Sequence, residues 1–321
     1  MRANIIGTGS DVPPKIVTND DLAKIVETSD EWIKTRTGIR ERRVSDEGTA
    51  TSDLAGIAAE RAIVSAKINP LDLDLIIVAT CSPDTLFPSV SCIIQNKLGA
   101  KNAAAFDLSA ACSGFNFALS TAAAYIESGR YKNILVVGAD TLTKYLDWTD
   151  RKTCVLFGDG AGAVVLQATE KDSGILASYI KAKGEGGKHL VMPGGGSRDP
   201  EEKEGRFIRM DGMEVFKFAV RALEESVLEV LKLAGLSIDD LDLLIPHQAN
   251  LRIIDHVMKK FHLPEKKVYV NLMRYGNTSA ASVPLALDEA IASGKIKSGD
   301  IIVLAGFGAG LTYGSNIIKW R

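Results

Sequence analysis

Cysteine and histidine are scarce in this 321-residue chain, four of each. The cysteines, Cys81, Cys92, Cys112 and Cys154, are irregularly spaced and form no CxxC pair, which excludes a disulfide framework and a thiolate metal site. Each is expected to be a reduced thiol. The histidines, His189, His247, His256 and His262, never form a two-histidine zinc motif with a glutamate between, so no metal is expected. Charge of one sign is also lacking: 38 Lys and Arg oppose 40 Asp and Glu, a formal net charge of −2. That removes the overall basic field a nucleic-acid partner would want. No apolar run approaches the roughly 20 residues of a membrane helix. The opening "MRANIIGTGSDVPP" lacks the apolar core of a secretion signal. These absences predict a cytoplasmic protein without nucleic-acid or membrane partners.

Hydrophobic residues make up 46% of the chain and charged residues 24%, the balance of a soluble globular protein with a generous core. The length is roughly twice that of a typical domain. Alternating apolar patterns predict strands at 3–8, 73–80, 103–107, 133–139, 161–167, 241–246, 300–305 and 313–319. Helices are expected at 51–65, 89–97, 113–128, 213–234, 250–260 and 279–292. The class is therefore α/β. Glycine-rich 184–205 reads as a long surface excursion. Two strand pairs repeat at nearly one offset, "LDLIIVAT" (73–80) with "LDLLIPHQ" (241–248) and "NILVVGAD" (133–140) with "DIIVLAGF" (300–307). Two related halves, 1–170 and 171–321, around a pseudo-twofold axis are expected. Such a duplication would bring equivalent loops together, and with them Cys112, His247 and Asn277.

In "DLSAACSGFNFAL" (107–119), Cys112 precedes a helical apolar face of Phe115, Ala118, Leu119, Ala122 and Ile126. A thiol at a helix amino end meets unpaired N–H groups and a positive dipole end, both of which favour thiolate. Free cysteine is equally a common core filler. His247 closes an apolar strand in "IPHQANLRI"; it is either a satisfied strand-end histidine, a hydrogen-bond donor to a developing oxyanion, or a proton carrier. Asn277 in "YGNTSAAS" is a turn residue or a side-chain amide donor.

Other stretches carry weaker signals. "LFGDGAGAVVL" (156–166) leads into a β-branched run rather than a helix, so it lacks the context of a dinucleotide loop. "AGFGAGLTYG" (305–314) joins two strands as a tight turn or brings backbone close to a reacting oxygen. "SDEWIKTRTGIRERR" (29–43) sets Trp32 among arginines, a solvated face or a platform for an adenine and its phosphates. Arg252, Lys259, Lys260, Lys266 and Lys267 could form a basic patch for an acidic partner.

Taken together, "SAACSGF", "PHQANLRI", "YGNTSAAS", "DEWIKTRTGIRERR" and "FGDGAGAVVL" closely resemble, in order along the chain, the β-ketoacyl-acyl-carrier-protein synthase III family of bacterial type II fatty acid synthesis. The resemblance implies the thiolase fold: duplicated βαβαβαββ halves in a five-layered αβαβα arrangement, paired as a homodimer. It implies Cys112 as acyl-accepting nucleophile, His247 and Asn277 as its partners, and backbone N–H groups of Cys112 and Ala309 as the oxyanion site. Trp32, Arg36, Arg151, Gly212, Phe216 and Asn250 would hold acyl-CoA. Gln248, Ala249, Asn250, Leu251 and Arg252 would meet the acyl carrier protein, and Phe87 would cross the dimer interface to shape the acyl pocket. The implied reaction condenses a short acyl-CoA with malonyl-ACP and needs no cofactor. "GFGAG" lacks the second cysteine of a degradative thiolase. A specialised relative using another starter or acceptor is the alternative.

Overall fold

In the computed structural model, residues 1–203 and 205–321 are described. The first half runs β1 (Arg2–Asp11), β2 (Ile16–Thr18), α1 (Asn19–Leu22), α2 (Asp30–Thr37), β3 (Glu41–Arg43), α3 (Thr51–Ala66), β4 (Leu75–Ala79), α4 (Val90–Leu98), β5 (Ala104–Leu108), α5 (Gly114–Glu127), β6 (Asn133–Asp140) and β7 (Gly160–Thr169). There follow β8 (Gly174–Ala182), β9 (Leu190–Val191), β10 (Arg209–Met210), α6 (Gly212–Leu233), β11 (Leu243–Pro246), α7 (Leu251–Lys260), α8 (Leu272–Tyr275), α9 (Ser282–Ala292), β12 (Ile301–Gly308) and β13 (Thr312–Lys319).

One sheet has the order β1-β7-β6-β4-β5 and another the order β8-β13-β12-β11. In each, a parallel pair (β4 with β6, β11 with β12) adjoins antiparallel neighbours. The parallel bridge of Leu244 to Val268 marks where the second sheet would hold the counterpart of β5. β4 reads "LIIVA", buried at every position because helices cover both faces of the sheet.

The layers follow from those apolar faces. α5 and α9 lie between the sheets: Ala118, Leu119 and Ile126 pack with Val283, Ala286 and Leu287, and with strand residues Ile77, Val136, Ile245 and Leu304. α3 and α4 cover the outer face of the first sheet, where Ala55, Ala58 and Ala62 and Ile94 meet Ile76 and Val137. α6 and α7 cover the second, through Leu223, Val227 and Ile254. The result is the five-layered thiolase arrangement. β6 and β12 begin at residues 133 and 301, and α5 and α9 at 114 and 282, 168 positions apart in both cases.

Two local findings differ from the sequence reading. β8 and α2 were not among the expected elements. α2 has little apolar periodicity and is fixed by its ends: Ser29 accepts from the Trp32 N–H, and Gly38 closes the helix at φ 83°. The 184–205 segment is only partly a surface excursion. Its first residues form a 3-10 turn (Gly184–His189) and β9, which pairs with β10. The turn is anchored because Gly186 lies against Leu311, where a Cβ would come within 2.5 Å of Cδ1.

Candidate active site

Cys112 sits in a single turn, Ala111–Ser113, between the end of β5 and the start of α5. Ala111 bends the chain at φ 46°, and the Ser113 hydroxyl ties the turn to the Ala110 carbonyl and to Thr312. The end of β12 presses on this turn. A Cβ at Gly308 would lie 2.6 Å from the Cys112 nitrogen, and one at Gly306 would lie 2.3 Å from Asn116 Oδ1. Glycine is required there by closeness, since Gly308 is itself in extended backbone at φ −170°. Asn116 in α5 reaches across to the Leu304 carbonyl and to Asn316, joining the cysteine's helix to the second sheet.

His247 follows β11, its amide N–H bonded to the Ala305 carbonyl at 2.7 Å. The ring stands edge-on to Phe307, with centroids 5.0 Å apart, and its Nδ1 is buried without a partner. Nε2 is therefore the nitrogen that faces the tunnel. Burial pulls the His247 pKa down to about 3, so the imidazole is neutral at physiological pH. A neutral ring can donate a hydrogen bond there but brings no charge.

Asn277 is held through its own backbone, donating to Leu156 O at 2.8 Å and accepting from Gly158 N at 2.9 Å. Its side-chain Oδ1 accepts from the Ser279 N–H at 2.9 Å, which leaves the amide's N–H2 end as a donor. Cys112, His247 and Asn277 all line one apolar tunnel, with Gly212, Phe216, Ala249 and Asn250 further along it. A second, almost wholly apolar cavity meets the same cysteine, walled by Cys81, Leu142, Phe157, Leu190, Met192, Ile208 and Ala309. Cys112 stands where the two spaces join. Leu190 and Met192 come from the segment read as a surface excursion, and so correct that reading.

The charge state of Cys112 also departs from expectation. Burial pushes the thiol up to about 12; the hydrogen bond from Ser279 lowers it, while the negative field of Asp140 raises it. The amino end of α5 opposes burial, yet the free protein holds a thiol, because desolvating an anion outweighs a helix terminus.

At the tunnel mouth, Trp32 lies under two guanidinium groups, Arg151 at 5.1 Å and Arg36 at 5.5 Å from the ring centroid. Asn250 donates to the Arg36 carbonyl at 3.1 Å, linking this platform to the tunnel wall. Arg252 is exposed on α7 and lies 6.0 Å from the Phe216 ring. His256, Lys259 and Lys260 share its exposed face at helical spacing. Lys267 departs from this patch, its Nζ turned to the Leu241 carbonyl. Ala249 and Leu251 are half-buried.

One expected contact is corrected. Gln248 is 1% exposed, with its amide spent on Pro246, Tyr269 and Asn271, so its side chain is structural and cannot meet a carrier protein. Phe87 is 86% exposed and lines neither cavity of the single chain.

Sequence reasoning missed three polar residues around the cysteine. Ser279 donates to Cys112 Sγ at 3.4 Å. Asp140, ending an otherwise apolar strand, is fully buried and accepts from Thr80, Cys81, Ser82 and the Ala280 N–H. Cys81 donates its S–H to the same carboxylate at 3.4 Å. The available signals were a lone acid closing "NILVVGAD" and a serine two residues beyond Asn277.

Residues 106–184 match the profile described as 3-oxoacyl-[acyl-carrier-protein (ACP)] synthase III, and residues 231–320 match its C-terminal counterpart. A β-ketoacyl-[acyl-carrier-protein] synthase III of Caldanaerobacter subterraneus is 57% identical over 100% of this chain and 98% of its own length. The chain belongs to the β-ketoacyl-[acyl-carrier-protein] synthase III family. Among solved structures, the family's synthase III from Aquifex aeolicus is 49% identical and superposes with a TM-score of 0.94, covering 99% of this chain and 100% of that one. That from Thermus thermophilus is 44% identical, with a TM-score of 0.94 over 99% of each chain.

Proposed function

We propose that the protein starts fatty acid synthesis by condensing a short acyl-CoA, acetyl-CoA first among them, with malonyl-ACP. The observation that carries this reading is the meeting of Cys112, His247 and Asn277 where a tunnel joins a second, almost wholly apolar cavity. The tunnel suits a pantetheine arm entering from the Trp32 platform, and the second cavity, by its apolar lining, suits a short acyl chain.

In the first half-reaction Cys112 Sγ attacks the acyl-CoA carbonyl. The new S–C bond forms, the C–S bond to CoA breaks, and the thiol proton leaves with the CoA sulfur. Backbone N–H groups at Cys112 and Ala309, brought together by Gly308, would hold the oxyanion. In the second, malonyl-ACP loses carbon dioxide, and the electron pair left on carbon becomes a thioester enolate. Neutral His247 and the Asn277 amide donate hydrogen bonds to its oxygen, in a space from which water is largely excluded. The enolate carbon then attacks the acyl-Cys112 carbonyl, giving 3-oxoacyl-ACP; Cys112 is regenerated and takes up one proton. The reaction balances without a cofactor.

Arg252 and the exposed basic face of α7 supply a surface for an acidic carrier protein. Leu86 and Phe87, both more than four-fifths exposed, shortly precede α4, whose Val90 and Ser91 N–H groups are held by Asp107 of β5, an edge strand of the first sheet. That combination supports a homodimer in which Phe87 reaches the partner's acyl cavity. No helix among the described residues is long and apolar enough to cross a membrane. Reduced thiols and carrier-bound substrates fit a cytoplasmic setting.

Intact mass measurement after incubation with acetyl-CoA tests the reading. An added acetyl mass that maps to Cys112 and disappears with malonyl-ACP is expected; a folded, reduced protein that gains no acyl group from any acyl-CoA would overturn it.

A further inference from the structure

Ser279 is fully buried and adopts φ 53°, a left-handed conformation unusual for serine. It stands 168 residues after Ala111, which adopts φ 46° in the equivalent turn of the first half. The duplication thus sets two matching bent turns against each other, and the second aims a hydroxyl at the first. The Ser279 Oγ lies 3.4 Å from Cys112 Sγ, and no other side-chain donor among the described residues bonds to that sulfur. The same residue's N–H holds Asn277 Oδ1 at 2.9 Å.

We infer that Ser279 is a positioning residue for the nucleophile: its hydroxyl donates to Cys112 Sγ and stabilises the negative charge that develops there while the acyl group is loaded. This rests on the reading that Cys112 is the acylated residue. Ser279 keeps its own proton throughout, and the thiol proton departs with the CoA sulfur as written above. Three other titratable groups face the cysteine. Asp140, from the end of β6, opposes its ionisation; Cys81, after β4, gives its S–H to Asp140 and lies 4.0 Å from Ser279 Oγ; His247, after β11, is neutral. None of these supplies a stabilising charge, so the hydroxyl is the one side chain among them that favours the anion. A hydrogen bond to a charged group is worth more than a neutral one.

Replacing the hydroxyl alone is feasible, because alanine already occupies the matching conformation at Ala111. Ser279→Ala retains the N–H that holds Asn277. Acetyl loading from acetyl-CoA is followed by intact mass, and Cys112 alkylation by iodoacetamide by peptide mapping, both between about pH 6 and pH 9. The expected result is a roughly tenfold fall in both rates at a given pH, an upward displacement of each pH profile by about one unit, and an unchanged KM for acetyl-CoA. Ser279→Gly, which relieves the backbone at positive φ, should show the same displacement. Folded variants that keep the parent pH profile, or that change KM and melting temperature without moving it, would overturn the assignment. Failure of the parent chain itself to acylate would instead remove the reading of Cys112 on which it depends, while the alkylation profiles would still report on the hydroxyl.

Discussion

Gly308→Ala puts one methyl group where the second sheet touches the nucleophile turn. The added Cβ would stand 2.6 Å from the Cys112 nitrogen and 3.0 Å from its Cβ. Ordinary contact begins near 3.4 Å, so one side must yield by about 0.8 Å. β12 cannot yield easily, since Gly308 is paired to Thr312 of β13 and the strand before it is held by β11 as far as Ala305. Backbone torsion offers no excuse either, because extended φ suits alanine as well as glycine. The Cys112 turn must therefore move. A displacement near 1 Å costs a reaction of this kind about a hundredfold, and overpacking costs about 1–3 kcal/mol of stability. The expected outcome is acetyl loading slowed about a hundredfold, with a folded protein whose melting temperature falls by only a few degrees. Loading by mass time course and melting by calorimetry read the two effects separately. If Gly308→Ala loads at the parent rate, the proximity of β12 to Cys112 is not what sets the nucleophile's geometry.

Cys112→Ser should form no acyl-enzyme, because a serine hydroxyl has no comparable anion fraction without a dedicated base; a normal condensation rate in that variant would contradict the nucleophile. Arg252→Glu should raise the KM for malonyl-ACP about tenfold and weaken the salt dependence of that step, while loading from acetyl-CoA falls far less; equal damage to both half-reactions would count against a carrier surface. His247 carries a folded pKa near 3 against an unfolded value near 6.5. The unfolded chain therefore binds the extra proton between those values, so stability present above pH 6.5 is lost as pH falls toward 3. Between pH 7 and pH 4 this site should cost about 3 kcal/mol, and His247→Gln should lose correspondingly less in urea unfolding; identical losses would show the histidine to be hydrated.

Much of the architecture was legible in the residues, for definite reasons. β4, β6, β11 and β12 are apolar runs buried on both faces, and the repeat between them survives as an offset of nearly constant length. α5 and α9 keep small residues and helical spacing because they pack between two sheets. α2 escaped because caps and a platform contact hold it, not an apolar stripe. β8 escaped as an edge strand paired only to β13. The 184–205 segment was misread because its glycines suggest surface, whereas Leu190 and Met192 turn inward to wall the acyl cavity.

The linear order of residues settles the alternation of strand and helix, the duplication, and the placement of Cys112, His247 and Asn277 at element ends, because these depend on periodicity and local turn chemistry. Family resemblance then names the reaction. What only the folded chain decides is everything that depends on distance and exclusion of water. Burial makes His247 neutral and Cys112 a reluctant acid; the meeting of the two halves brings Ser279 to the sulfur and Gly308 to the nucleophile's backbone; and the amide of Gln248 is buried although Arg252, four residues on, is exposed. The Ser279 and Gly308 contacts join residues more than 160 positions apart, and no local pattern encodes a hydrogen bond or a close approach across that separation.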